Sequence, residues 1–426
     1  MPFHPTRISA DGRHLLRAEG TPFFWLADTA WELFHRLSRE EADFYLQTRA
    51  RQGYTVVQAV VLAEFDGLHA PNFYGDLPLR NDDPTQPIAA YFAHVDWIVR
   101  RAGELELTVA MLPTWGDKWN KKWGDGPEVF TPENARSYGS WLGNRYRDAA
   151  LVWVTGGDRP IETDAHRAII EAMAAGLGET SRHLKTFHPN GGQTSAQWLH
   201  GANWLDFNLM QTGHGRNSAN YQKIAADYAR TPAKPVIDGE PGYEAHPAGF
   251  AIENGYLDDY DNRKSLYWAL LSGAAGHTYG CHAVWQMLSS KHPAVNHPRL
   301  PWRESLDLPG ARQMPLARQI LAPSWGHLVP DQSLIIAQPA HEGKALGHAH
   351  IAAAREANGA RVYVYCPLDT KFEVNTSNLP DPRLRASWID PRTGNVTFIE
   401  EFGRGAKREF QAPGWGPDWV LKLEAI

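Results

Sequence analysis

Short apolar runs alternate with segments of helical periodicity along the first three quarters of the chain. Eight of these runs predict buried strands, and they are Phe23–Leu26, Tyr54–Leu62, Leu107–Pro113, Leu151–Thr155, Leu184–His188, Phe207–Gln211, Pro235–Asp238 and His277–Trp285. Helix start signals stand between them, namely the capping box Ser38-Arg-Glu-Glu41, the pair Thr131-Pro132 and the pair Thr163-Asp164. Eight such alternations over about 320 residues predict an α/β fold of the (β/α)8 TIM-barrel type.

Two segments between predicted strands are rich in turn residues. Residues 64–87 carry Asp66-Gly67 and Asn81-Asp-Asp-Pro84, which predicts a long loop after the second strand. Residues 116–129 follow the third strand, and Trp115, Trp119 and Trp123 are spaced four residues apart there. That spacing is typical of a helical core stripe, but the surrounding glycines and lysines favour an exposed aromatic wall.

The pattern changes after residue 322 to short alternating runs separated by turns. The strands predicted there are Ser333–Gln338, His348–Arg355, Arg361–Cys366, Leu384–Ile389, Val396–Glu400 and Val420–Leu423. We therefore predict a barrel domain over residues 1–322 and a small all-β sandwich domain over residues 323–426. The linker around Pro330-Asp331 is short, so we expect the two domains to pack against each other.

Composition narrows the classes of function. The chain has 426 residues, of which 43% are hydrophobic, and a net charge of −6. It provides no basic surface for nucleic acid and no apolar span for a membrane, so we expect neither as a partner. Two cysteines far apart indicate no disulfide framework. The sequence as given predicts a cytoplasmic protein, or a periplasmic or secreted one if a signal peptide was removed. It does not indicate an oligomeric state.

Tryptophan is the compositional outlier, with 17 residues in the chain. Carbohydrate sites favour flat aromatic faces that stack on the apolar side of sugar rings. Other chemistries lack their signals, because no His-Glu-x-x-His, phosphate-binding, dinucleotide-binding or Gly-x-Ser-x-Gly motif occurs. We therefore predict no metal and no cofactor.

Two predicted strands end in glycine and an acid. Val-Thr-Gly-Gly-Asp158 closes the fourth strand, and Asp-Gly-Glu240-Pro closes the seventh. Barrel enzymes carry catalytic groups at the C-terminal ends of their strands, and glycoside hydrolysis needs two carboxyl groups. We predict Asp158 and Glu240 as this pair, although an acid after glycine is also typical of a turn or a helix cap. Asp238 shares a predicted strand face with Glu240 and is an alternative nucleophile or a supporting acceptor.

Four motifs together resemble the apiosidase-like glycoside hydrolases. They are Phe23-Phe-Trp-Leu-Ala-Asp-Thr-Ala-Trp31, Gly53-Tyr-Thr-Val-Val-Gln58, Val154-Thr-Gly-Gly-Asp158 and Asp238-Gly-Glu-Pro241. The resemblance covers most of residues 1–320, and the C-terminal segment resembles a small β domain named for collagen binding. It implies a (β/α)8 glycosidase that retains anomeric configuration, with Asp158 as acid/base and Glu240 as nucleophile. Most relatives in the wider clan have Glu at the strand-four position, so Asp158 implies a different reach to the leaving oxygen.

Other side chains after predicted strands are expected to bind the sugar. They are Asp28, Trp31, Glu64, Trp115, His188, Gln211, His214, Tyr243 and Trp285. The aromatic members are candidate stacking platforms, and the polar members are candidate partners of sugar hydroxyls. For most of them a packing or turn role is an equally good interpretation.

The sequence thus predicts a retaining, exo-acting glycoside hydrolase that removes a terminal sugar from a plant or microbial glycan fragment. The resemblance suggests a pentofuranose such as apiose. Alternatives are an endo-acting glycanase of the same clan and a non-catalytic carbohydrate-binding barrel. A binding barrel has no need of both acids, so the presence of Asp158 and Glu240 favours the enzyme. The expected partner is an oligosaccharide or glycoside substrate.

Overall fold

The computed structural model describes residues 3–338 and 348–426. The chain begins with a three-stranded antiparallel sheet of β1 (Arg7–Ile8), β2 (Leu15–Leu16) and β3 (Pro22–Phe23). The sequence pattern does not predict this sheet, because two-residue strands carry no periodicity. Its Leu15 and Phe23 pack into the hydrophobic cluster inside the barrel that follows.

Eight parallel strands form a nearly closed barrel, as predicted. They are β4 (Trp25–Thr29), β5 (Val56–Leu62), β6 (Thr108–Thr114), β7 (Leu151–Gly156), β8 (Lys185–His188), β9 (Asn208–Met210), β10 (Val236–Asp238) and β11 (Gly276–Tyr279). Ladder pairing runs from β8 through β7, β6, β5, β4, β11 and β10 to β9. Between β8 and β9, the N–H of Asp206 donates to the carbonyl of Lys185 at 2.9 Å, which joins the two ends of the sheet.

Side chains alternate between the inside of the barrel and the surrounding helices. On β5, Val56 and Val60 pack into the interior cluster, whereas Val57 and Val61 pack into the outer cluster with helical residues. This is the period of two that parallel strands impose. The barrel is therefore a packed core, and a binding site forms only at a rim.

Helices cover the outside of the barrel. They are α1 (Leu33–Arg36), α2 (Arg39–Gln52), α3 (Ala89–Glu104), α4 (Pro132–Arg145), α5 (Asp164–Thr180), α6 (Ala196–Leu199), α7 (Asn220–Tyr228), α8 (Asp259–Leu271), α9 (His282–Trp285), α10 (Trp302–Ser305) and α11 (Pro309–Leu321). The predicted starts are confirmed, because Ser38, Thr131 and Thr163 cap α2, α4 and α5 with their side chains. Among the described residues, no helix is both long and apolar enough to cross a membrane.

The eighth barrel strand is shorter than the sequence pattern indicates. The run His277–Trp285 predicts one strand, but β11 ends at Tyr279 and the last four residues form α9. Gly280 lies between them, and a Cβ there would stand 1.9 Å from the Tyr243 ring. A continuous apolar run does not distinguish one long strand from a strand followed by a buried helical turn.

The C-terminal region is a β-sandwich, as predicted. Its strands are β12 (Leu328–Pro330), β13 (Ala352–Glu356), β14 (Arg361–Cys366), β15 (Lys371–Val374), β16 (Arg383–Ile389), β17 (Val396–Gly403), β18 (Arg408–Gln411) and β19 (Trp419–Ala425). Six form an antiparallel sheet in the order β12, β13, β14, β19, β16, β17, and β15 pairs with β18. Phe372 and Phe410 of the small sheet share a hydrophobic cluster with Val364 and Leu421 of the large one.

Two predicted strands of this region are corrected. Residues 333–338 do not form a strand, because Asp331 accepts from the N–H of Ser333 and a 3-10 turn spans Gln332–Leu334. The strand predicted from His348 begins only at Ala352. The short strands β12, β15 and β18 have too few residues for their alternation to stand out.

The barrel and the sandwich share a buried interface. Arg263 of α8 donates to both carboxylate oxygens of Asp418 at 3.0 and 2.9 Å, and both side chains are buried. Beside them Tyr267 stacks on Tyr365 with ring centroids 4.9 Å apart. A bidentate buried ion pair fixes orientation as well as distance, so it holds the two regions in one arrangement.

Candidate active site

The C-terminal rim of the barrel encloses a cavity of about 470 Å³. Of the eleven predicted site residues, nine line it, and they are Trp31, Glu64, Trp115, Asp158, Gln211, His214, Glu240, Tyr243 and Trp285. Asp28 and His188 do not. Further lining residues, which the sequence did not single out as binding residues, are Phe65, Trp123, Asn190, Gly191, Gly213, His246, Phe250, Val295 and Asn296. A concave site of this size is typical of small-ligand binding.

Asp158 reaches the cavity through an unusual stretch of backbone at the end of β7. Gly156, Gly157 and Asp158 all have positive φ, at 95°, 107° and 53°. Glycine adopts this region freely, and aspartate tolerates it better than most residues do. A side chain at Gly157 would also meet the backbone N of Gly116 at 2.8 Å. The two glycines therefore allow the chain to turn and present the acid at the rim.

Two side chains contact the carboxyl of Asp158. The indole N–H of Trp123 donates to its Oδ2 at 3.0 Å, and Arg159 Nη1 lies 3.2 Å from the same oxygen. Burial raises the pKa of Asp158 to about 6, and the negative charge of Glu240 adds to the rise. Arg159 and His188 oppose that rise without cancelling it. At weakly acidic pH the group is a protonated acid at the edge of a cavity.

Glu240 lies just beyond the end of β10 and is 5% exposed. Gly239 before it has no room for a side chain, because a Cβ would stand 2.5 Å from Leu209. His188 Nε2 lies 3.0 Å from Oε2 of Glu240, and His214 Nε2 lies 3.4 Å from Oε1. Burial alone would raise the pKa of Glu240, but the two imidazoles outweigh it and hold the pKa well below its usual range. Glu240 is therefore ionised where Asp158 is protonated.

Asp238 is not part of the cavity, contrary to the prediction that it shares a face with Glu240. It is fully buried, and its carboxylate accepts from Thr212 Oγ1 at 2.9 Å and from Asn220 Nδ2 at 3.0 Å. The period of two does not extend to Glu240, because β10 ends at Asp238 and the chain turns at Gly239. This geometry removes Asp238 as an alternative nucleophile.

Asp28 does not reach the cavity either, and its expected role in sugar binding is wrong. Its carboxylate accepts from Arg49 Nε and from the hydroxyl of Tyr45, both at 2.6 Å. Arg49 and Tyr45 lie on α2, so Asp28 faces the outer helices. All three side chains are fully buried, which identifies Asp28 as part of the packing between β4 and α2.

His188 is buried behind the cavity wall and contacts both acids. Its Nδ1 accepts from the backbone N–H of Asp158 at 3.3 Å, while Nε2 faces Glu240. The rings of Trp31 and Trp115 pack around it at 5.4 and 6.0 Å. It therefore positions the two acids, and it does not contact the cavity as a sugar-binding residue would.

Aromatic side chains form much of the wall. Trp31 Nε1 donates to the hydroxyl of Tyr243 at 3.2 Å, and the Trp31 and Trp115 rings lie 5.2 Å apart. Trp285 comes from α9 and pairs with Phe65 at 5.5 Å. The hydrogen bond and the ring contacts fix these side chains, so the wall is formed before any ligand arrives.

Polar groups without protein partners also face the cavity. Oε1 of Gln211 is buried with no hydrogen-bond partner. No described residue hydrogen-bonds the carboxyl of Glu64, whose pKa is raised to about 8 by burial and then by the charges of Asp158 and Glu32. A neutral Glu64 both donates and accepts hydrogen bonds, so it supplies unused hydrogen-bonding capacity for a ligand.

A row of imidazoles stands beside Glu240. His214 stacks on His246 with centroids 4.3 Å apart, and His246 contacts His282 at 4.3 Å. Burial lowers the pKa of His246 to about 2 and that of His282 to about 4, so both are neutral. Within residues 3–338 and 348–426, no group of three or more His, Cys, Asp or Glu is arranged to hold a metal ion.

The predicted aromatic wall of residues 116–129 is confirmed only in part. Trp115 and Trp123 line the cavity, but Trp119 is buried and donates from its indole N–H to Gly156 O at 3.2 Å. The lining residues His246 and Phe250 gave no signal in the sequence, because 3-10 turns and positive φ angles bring their loop to the rim.

Comparison with known proteins agrees with this geometry. The family model "Apiosidase-like, catalytic domain" matches residues 9–325, and "Putative collagen-binding domain of a collagenase" matches residues 329–424. A solved glycoside hydrolase is 31% identical over 100% of this chain and 98% of its own, with a TM-score of 0.90. A glycoside hydrolase family 5 protein from Bacteroides vulgatus ATCC 8482 is 29% identical over 100% of this chain and 94% of its own, with a TM-score of 0.89. No curated protein matches the chain.

These findings set aside the non-catalytic binding barrel. The catalytic-domain model spans the whole barrel, and both structural relatives are glycoside hydrolases. The chain belongs to the apiosidase-like glycoside hydrolases, in the clan of family 5-like barrels, and is an enzyme that hydrolyses glycosidic bonds.

Proposed function

We propose that the protein is a retaining, exo-acting glycosidase in which Asp158 is the acid/base and Glu240 is the nucleophile. The observation that carries this proposal is that two carboxyl groups line one cavity in different surroundings, Asp158 beside Trp123 and Arg159 and Glu240 beside two imidazoles. The pKa of Asp158 is raised to about 6 and that of Glu240 is lowered. A pair of carboxyls whose environments separate their pKa values in this way is suited to one acid role and one nucleophile role.

The mechanism has two displacements. First, Glu240 attacks the anomeric carbon while protonated Asp158 gives its proton to the glycosidic oxygen, so the aglycone leaves as an alcohol. A glycosyl ester on Glu240 results. Asp158, now ionised, then takes a proton from water as that water attacks the anomeric carbon and releases the Glu240 carboxylate. Two inversions give net retention. His188 and His214 stabilise the carboxylate at the start and end of the cycle.

The cavity favours a neutral terminal sugar. Asp158, Glu240 and Glu64 line it, and no lysine or arginine of the described chain does. A carboxylated sugar placed between these groups would have no lysine or arginine as a partner. The Gln211 side chain and the neutral Glu64 are suited to sugar hydroxyls, and the Trp31, Trp115 and Trp285 rings to the apolar face of the sugar. A neutral pentofuranose such as apiose, from a plant or microbial glycan fragment, satisfies these conditions.

The size of the cavity supports exo action over endo action. At about 470 Å³ it lies in the lower half of the range of small-ligand sites, with room for about one or two sugar rings. An endo-acting glycanase of the same clan needs a cleft that a chain passes through on both sides of the catalytic pair.

The stereochemistry of the first product tests the proposal. We expect a panel of aryl pentofuranosides, pentopyranosides and hexosides to identify a substrate that the enzyme hydrolyses. Proton NMR recorded in the first minutes of that reaction should show the anomer with the configuration of the substrate, because two displacements restore it. The opposite anomer as first product would contradict the nucleophile role of Glu240.

The pH dependence of kcat/KM follows from the shifted pKa values of Asp158 and Glu240. The free enzyme needs protonated Asp158, so kcat/KM should fall as pH rises through about 6 and beyond. Glu240 must be ionised, and its lowered pKa places the acid limb below the usual range of glutamate. We expect initial-rate measurements on an unactivated glycoside to give a profile with its plateau on the acid side of pH 6. A profile that is flat to pH 9 would contradict Asp158 as the proton donor.

A further inference from the structure

A loop tryptophan stands at the mouth of the cavity, beside the proposed acid. Trp123 is 56% exposed, although it lines the cavity and its N–H donates to Asp158 at 3.0 Å. The guanidinium of Arg159 lies 4.3 Å from the centre of its ring, and the Arg159 side chain is fully buried. One face of the indole therefore covers Arg159. Lys122 Nζ lies 5.7 Å from the centre of the same ring, and because more than half of the residue stays exposed, the remaining indole surface is open to solvent.

The loop that carries Trp123 is held firmly in place. Lys118 pairs with Asp117 at 2.8 Å and donates to the carbonyl of Ala63 at 2.6 Å. The N–H of Gly126 donates to Asp117 at 2.9 Å. Gly124 packs so closely that a Cβ would meet Asp117 at 2.2 Å. The open indole face is thus presented by an ordered segment, which lowers the entropic cost of stacking a ligand on it.

The position of Trp123 follows from what Asp158 does. The acid gives its proton to the glycosidic oxygen, so the leaving group departs from the side of the cavity where Asp158 stands. Trp123 donates a hydrogen bond to the Asp158 carboxyl and lies on the solvent side of that group. An exposed indole face at that place is where the ring of a leaving group would lie, and such faces stack on the apolar side of sugars.

On this basis, and resting on the proposed function, we infer that Trp123 is the platform of the leaving-group subsite. The enzyme then selects substrates whose aglycone contains a ring, either a second sugar or an aryl group, over small alkyl aglycones. The hydrogen bond to Asp158 links this platform to the acid, because it stabilises the ionised form of that group. Trp123 therefore has two separable roles, stacking through its face and positioning of Asp158 through its N–H.

Two substitutions separate these roles. We expect Trp123→Ala to lower kcat/KM about tenfold more for a disaccharide than for the methyl glycoside of the same terminal sugar, mainly through KM, because one ring contact is lost. Trp123→Phe keeps a ring but removes the N–H. It should keep the KM for the disaccharide within about threefold of wild type and move the alkaline limb of the pH profile upwards, since the Asp158 carboxylate loses a donor.

The matched control is Trp415→Ala, which removes a tryptophan that is 63% exposed in the sandwich and does not line the cavity. It should leave the ratio between the two substrates unchanged. An equal effect of Trp123→Ala on the disaccharide and the methyl glycoside would overturn the inference and leave the proposed function intact. An inverted product together with a selective loss on the disaccharide would support the inference and overturn the retaining mechanism.

Discussion

Replacement of Glu240 by Gln is expected to abolish turnover while the protein stays folded. The amide has nearly the shape of the carboxylate but cannot form the glycosyl ester, so kcat should fall by at least about 10⁴-fold on every glycoside. The loss should not depend on the leaving group, because the nucleophile is needed whichever group departs. Initial rates on an aryl glycoside and on a disaccharide, measured with a purified variant, test both statements.

A matched control for this result lies in the segment between β10 and α8 that also carries Glu240. Glu253 follows β10 by fifteen residues, is exposed and does not line the cavity, so Glu253→Gln should keep wild-type rates. Thermal unfolding of Glu240→Gln should remain a single cooperative transition, because the amide keeps the shape of the carboxylate and still hydrogen-bonds with His188 and His214. Wild-type-like turnover by Glu240→Gln would remove the proposed mechanism, whatever the stereochemistry of the product.

The barrel could be predicted from the sequence because its signals are long and repeated. The runs that became β5, β6 and β7 are continuous apolar stretches, which parallel strands buried on both faces require. Where signals were short, prediction failed. The residues 333–338 were predicted as a strand but turn at Asp331, and β1 to β3 have only two residues each. Local side-chain hydrogen bonds decide such segments, and an apolar pattern does not record them.

The candidate site was predictable where a residue directly follows a barrel strand. Asp158 and Glu240 both do, and both line the cavity. Asp28 shows the limit of this rule, because it lies within β4 and faces α2. Phe250 shows the other limit, since it reaches the rim from a long loop through a positive φ angle of 66°. The direction of a side chain depends on where a strand ends, and the sequence places that end only to within a few residues.

Replacement of Asp158 by Asn is expected to lower kcat/KM much more for substrates with poor leaving groups than for substrates with good ones. A sugar leaving group needs a proton, so its kcat/KM should fall about 10²-fold to 10⁴-fold. A dinitrophenolate leaves without one, so its kcat/KM should stay within about tenfold of wild type. With that substrate the glycosyl ester on Glu240 should accumulate, because no base activates water. Mass spectrometry of the intact protein should detect it.

Two further measurements make the Asp158 result decisive. Azide attacks the glycosyl ester without a base, so it should restore turnover of the dinitrophenyl glycoside and give a glycosyl azide of retained configuration. Asp148→Asn, on a side chain that is 91% exposed just before β7, should behave as wild type. Glu64 is the other carboxyl of the cavity with a raised pKa. We expect Glu64→Gln to lower kcat/KM by the same factor for substrates with good and with poor leaving groups. If the dependence on the leaving group appeared in Glu64→Gln and not in Asp158→Asn, the proton donor would be Glu64, because no other carboxyl group of the described residues shares the cavity with Glu240.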